Sequence, residues 1–85
     1  MSIRPLGIVA APQEFDGAKI LSIEPGSVAE MASLHVGDLV KAVDGKAVRT
    51  PMELAAELSD KLGKVHITFA RGSSTIETVV LLSAH

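Results

Sequence analysis

The chain has 85 residues, with ten acidic side chains against eight basic ones and a formal net charge of −2. That length suits one domain around one core, and with Phe15 and Phe69 as its two aromatics the core must be aliphatic. The absence of cysteine removes disulfides and thiolate chemistry and leaves the redox compartment open, while the lack of a basic run and of base-stacking aromatics argues against a nucleic-acid partner.

No apolar run approaches the roughly 20 residues that cross a bilayer. Pro5, Gly7 and Pro12 interrupt the apolar core that a signal peptide needs. The chain is expected to be either cytoplasmic or a domain cut from a longer protein.

Residues 6–11 form a short apolar run and a first strand, in which Gly7 is conspicuous because it packs nothing and weakens a strand. Its presence makes sense where something must approach the backbone closely. "PQEFDG" (12–17) reads as a loop, opened by Pro and closed by Asp-Gly. "AKILSI" (18–23) is a second strand, stopped by Pro25-Gly26. Ser27, with Glu30 three residues on, fits a capping box that opens a short helix. "DLVKAVDGKAV" (38–48) reads as a tight hairpin turning at Asp44-Gly45.

The clearest helix follows. Thr50 is its N-cap, Pro51 takes the first helical position and Glu53 completes a second capping box. Leu54, Leu58 and Leu62 form one apolar stripe, and Gly63 supplies the C′ residue, so the helix is expected over 50–62. "KVHITFA" (64–70) alternates, with Val65, Ile67 and Phe69 inward and His66 and Thr68 outward. "RGSS" turns the chain into a last strand over 75–82. The expected fold is α+β: a small antiparallel β-sandwich or partly open barrel of five to six strands, capped by two helices.

Pro5-Leu6-Gly7-Ile8 resembles the carboxylate-binding loop of PDZ domains, an aliphatic-Gly-aliphatic turn. The stretch "SIEPGSVAEMASLHVGDLVKAVDGKAV" (22–48) resembles their most recognisable segment, and the helix after Thr50 and the closing strand follow in the expected order. The likeness runs over residues 4–82. With few residues before the loop and a strand at 75–82, the chain is similar to the permuted PDZ domains of bacterial envelope proteases. Such relatives occur in high-temperature-requirement proteases, site-2 proteases and C-terminal processing peptidases, so the resemblance implies a parent in the bacterial envelope or periplasm. Where the family has Ala-Gly-Leu, this chain has Ala32-Ser33-Leu34, which implies modest strain at Ser33 if the backbone is left-handed there.

The resemblance implies a non-catalytic module that captures apolar C-terminal peptides. The amides of Leu6, Gly7 and Ile8 would hold the terminal carboxylate in a backbone nest, with Gly7 clearing the turn and the approach of the oxygens. The peptide would add as a strand beside 8–11, along Val9 and Ala10, at an edge left open for it. Leu6, Ile8 and Leu58 would enclose its last side chain. Pro51 and Ala55 would face the third residue from its end and, having no hydrogen to donate, would favour an apolar residue there. Arg4 would stand where related domains often place a basic residue near the carboxylate. The alternative is a regulatory or self-associating domain whose groove is filled by a tail or a neighbouring copy, for which residues 81–85 offer a strand.

No catalytic constellation is visible. Asp38 and Asp44 each adjoin a glycine and read as turn caps, and Ser27, Ser73 and Ser74 as cap and turn residues. His35, His66 and His85 lack metal-ligand spacing, and no cofactor is implied. Phe15 is expected to pack onto the sheet, with contact to a ligand's upstream part as the alternative for it and the loop 12–17.

Overall fold

The computed structural model describes residues 1–12 and 16–82; the expectations for Phe15 and for the tail 83–85 lie outside the described residues. The strands are β1 (Ser2–Ile3), β2 (Ile8–Ala10), β3 (Ala18–Ile23), β4 (Leu39–Val43), β5 (Lys46–Ala47), β6 (Gly63–Arg71) and β7 (Ser74–Leu82). The helices are α1 (Val28–Met31) and α2 (Pro51–Leu58). Every pairing is antiparallel, in the order β1-β2-β3-β4-β6-β7 with β5 hung on β4. The core is aliphatic apart from Phe69 and runs from Ile3, Leu6 and Ile8 through Val40 and Val43 to Leu54, Leu58 and Ile67.

Local chemistry explains most boundaries. Ser27 and Thr50 accept the N–H groups of Glu30 and Glu53 at 3.2 and 3.1 Å, as a capping box requires. The reciprocal carboxylates reach one residue earlier than the cap, to the N–H groups of Gly26 and Arg49. Helix α1 ends in a Schellman motif, in which Leu34 N–H donates to the Ala29 carbonyl and Ser33 N–H to that of Glu30. This places Ser33 at φ +66°, the left-handed conformation the sequence comparison raised. Asp44 and Gly45, at φ +50° and +81°, make the primed turn that suits a two-residue hairpin.

Three expectations change. Helix α2 stops at Leu58 and does not reach 62: Ser59 caps it, its hydroxyl donating to the Ala56 carbonyl, and Leu62 lies 65% exposed, outside the core stripe. The first strand is Ile8–Ala10, with Leu6 in the preceding turn. Residues 2–3, too short to carry any periodicity, form the additional strand β1.

Among the described residues Asp38 is the buried polar residue of the core, and its carboxylate pairs with Arg71 and with no second carboxylate. Its oxygens take the Arg71 Nε and Nη2 at 2.9 and 2.8 Å and the His35 N–H at 2.8 Å. Burial works to raise its pKa, but the Arg71 guanidinium and the His35 amide outweigh that and hold it below the ordinary carboxylate value. Arg71 also donates to the Ser33 carbonyl and lies over the Phe69 ring, 5.2 Å from its centroid. The cluster ties the end of α1 to β6. Asp44 accepts the His66 N–H at 2.8 Å, so its carboxylate, expected to cap its own turn, reaches across to β6.

Candidate functional site

The sites expected from the sequence fall on β2, the turn before it and α2. The loop Arg4-Pro5-Leu6-Gly7 reverses the chain between β1 and β2, with Ile3 opposite Ile8 and Ser2 opposite Val9. Leu6 N–H and Gly7 N–H both donate to the Ile3 carbonyl, at 3.2 and 3.0 Å. Met1 and Ala10 exchange two bonds: Ala10 N–H to the Met1 carbonyl at 2.7 Å, and the Met1 amino group to the Ala10 carbonyl at 2.9 Å.

The border of β2 is therefore not left open. Residues 1–3 run antiparallel along it and pack against α2, and the Ile3 carbonyl oxygen sits in the amide cradle. The Ile3 side chain is buried at 1% exposure, among Leu6, Ile8 and Leu58 of the same core. An extended segment with an apolar residue beside the loop thus fits this trough, and the chain itself supplies one.

The fold itself requires a glycine at position 7. Its φ is +74°, which the turn requires, and a Cβ there would overlap the Ser27 Cβ at the start of α1. The close approach is internal. Glu24 N–H to the Gly7 carbonyl and Ala29 N–H to the Leu6 carbonyl, both at 2.9 Å, lock the same turn onto β3 and α1.

Beyond the cradle a cleft of about 610 Å³ opens between the loop, the start of α1 and the end of α2. Arg4, Leu6, Gly7 and Leu58 line it, together with Ser27, read from the sequence as a helix cap, and Lys61, which no sequence motif singled out. Leu58 and Leu82 contribute apolar wall. Lys61 is drawn toward Asp44, Nζ to Oδ2 3.3 Å, whereas Arg4 has no ion-pair partner among the described residues. Ile8, Val9, Ala10, Pro51 and Ala55 do not line the cleft. Ile8, Ala10 and Pro51 are buried, and Val9 and Ala55 half-buried, on β2 and α2. Among the described residues no three His, Cys, Asp or Glu side chains stand together as metal ligands, and no helix is long and apolar enough to cross a membrane.

The fold recurs in solved structures. The HtrA3 PDZ domain bound to a phage-derived ligand, FGRWV, superposes over 79% of this chain at a TM-score of 0.72 and 16% identity. A serine endoprotease from Yersinia pestis matches 92% of the chain at 0.79 and 20%, and an aminopeptidase N family protein from Idiomarina loihiensis matches 92% at 0.74 and 22%. The chain has the PDZ fold, as the sequence resemblance implied. It spans 64%, 28% and 13% of the length of those three chains. No protein-family model matches it, and neither does any curated relative.

Proposed function

We propose that this chain is a peptide-binding module whose trough between β2 and α2 exchanges residues 1–3 for the apolar C-terminus of a partner. The observation that carries the reading is the seat of β1: an extended segment lies antiparallel to β2 with a carbonyl oxygen on the amides of Leu6 and Gly7. A terminal carboxylate offers the same cradle an oxygen bearing charge, and charge-assisted bonds to N–H groups are roughly twice as strong as neutral ones. The ligand's last side chain takes the place of Ile3 against Leu6, Ile8 and Leu58. Its third residue from the end lies by Ala55 and Pro51, its backbone follows Val9 and Ala10, and Arg4 adds long-range attraction. The HtrA3 domain of the same fold carries a ligand ending in valine, which supports an apolar last residue. No chemistry on bonds is assigned to the chain.

The occupied trough also favours a second reading: a regulatory or assembly domain in which residues 1–3 stay seated and partners dock elsewhere. Titration of the full chain with an Ile- or Val-ending peptide, as free acid and as amide, separates the two. Exchange predicts binding of the free acid, a much weaker amide, and movement of the Leu6, Gly7 and Ala10 amide resonances. Equal binding of the two forms removes the carboxylate cradle, and no binding of either leaves the regulatory reading.

A further inference from the structure

The far border of the sheet is built differently from the first. Strand β7 pairs with β6 without a break from Arg71↔Ser74 to Gly63↔Leu82. In such a two-residue hairpin the pair flanking the turn is hydrogen-bonded and the bonds then alternate, so Ser74, Ile76, Thr78, Val80 and Leu82 face β6. The N–H and C=O groups of Thr75, Glu77, Val79 and Leu81 face outward, and among the described residues no backbone partner meets them.

Natural sheets blunt such borders with lysine, proline, bulges or shortness. β7 is nine residues long, has no proline or register shift, and carries a single charged side chain, Glu77, 3.6 Å from His66 Nδ1 on β6. Its outward side chains end in Val79 and Leu81, 45% and 66% exposed, and Met31 of α1 stands beside them at 82% exposure. A shallow apolar hollow of about 180 Å³ runs between this border and α1.

We propose that β7 is a self-association surface, pairing antiparallel with β7 of a second copy about a two-fold axis at Val79. Charge and apolar matching select this occupant and register. Centred on Glu77, the pairing sets two carboxylates face to face; centred on Thr78, it sets each Val79 against a glutamate. Centred on Val79, it sets valine on valine and each Glu77 against Leu81 of the other copy. Leu81 is flanked on β6 by Lys64, so a lysine of one copy and a glutamate of the other lie two strand spacings apart, about 10 Å, with Leu81 beneath them. The contact is isologous and therefore closes at two copies, and the unbranched Met31 side chains fill the underside. It leaves β2 and α2 free.

The test is sedimentation equilibrium of the full chain from low micromolar to millimolar concentration, with a cross-linking variant alongside. The mass is expected to rise from 8.9 kDa toward twice that value, and Val79→Lys or Leu81→Lys, at exposed positions, to hold it at one chain with an unchanged thermal midpoint. Since the chain has no cysteine, Val79→Cys is expected to form a disulfide-linked dimer under mild oxidation, whereas Lys41→Cys on the interior strand β4 does not. A chain that stays monomeric throughout overturns the proposal. So does a dimer indifferent to both lysine variants, or one that cross-links equally through position 41.

Discussion

Replacement of Ile3 by Ala tests the exchange of β1 quantitatively. Ile3 is 1% exposed, and trimming a buried isoleucine to alanine costs about 2–5 kcal/mol. Only the state with β1 seated loses that contact, because the wall formed by Leu6, Ile8 and Leu58 stays in place for an incoming side chain. If opening of residues 1–3 precedes binding, the apparent dissociation constant is the intrinsic one divided by the open fraction. Weakening the seat by about 2 kcal/mol then tightens free-acid peptide binding by roughly thirty-fold, at 1.4 kcal/mol per decade. Ser2→Ala, at an exposed position opposite Val9, is expected to leave affinity unchanged. Fluorescence anisotropy with a labelled Val-ending peptide reads the affinities, and urea unfolding confirms that the variants are folded. A folded Ile3→Ala chain that binds no more tightly than the parent refutes competition between β1 and ligand.

Gly7→Ala is expected to destabilise by about 2–4 kcal/mol, combining a positive φ with overpacking against Ser27; a urea midpoint equal to that of the parent contradicts this. Ser33→Gly relieves a residue at φ +66° and is expected to add up to about 1 kcal/mol in the same assay. Asp38 has its pKa lowered in the folded chain from 3.8, so its contribution is complete above that value and is lost as pH falls through the lower folded value. Asp38→Asn is therefore expected to lower the thermal midpoint near neutrality, by about 1.5–3 kcal/mol in stability terms, and to flatten the acid limb of the midpoint-against-pH curve. An equally steep acid limb in the variant assigns that limb to other carboxylates.

Much of the fold was legible because its signals are local. Val65, Ile67 and Phe69 alternate, Asp44-Gly45 demands its turn, and Ser27 and Thr50 cap the helices in which they were recognised. The end of α2 misled because Leu62 continues the apolar period of Leu54 and Leu58, while the Ser59 cap that ends the helix carries no comparably strong signal. The Asp38–Arg71 pair spans 33 positions, beyond the reach of any periodicity. Gly7 was legible as a place of close approach, but its neighbour there is Ser27, a contact visible only once α1 is folded against the turn. Strand β1 left no trace, since two residues have no period and their conformation is decided by the trough that receives them.

Nuclear Overhauser contacts across the β1–β2 ladder address the exchange most directly. In the free chain, Met1 and Ser2 are expected to show cross-strand contacts to Ala10 and Val9, as the seated register requires. Saturation with a Val-ending free-acid peptide is expected to abolish these and to replace them with contacts from the peptide's last three residues to Ile8, Val9 and Ala10. Persistence of the Met1–Ala10 contacts in the saturated complex contradicts strand exchange and places the ligand elsewhere.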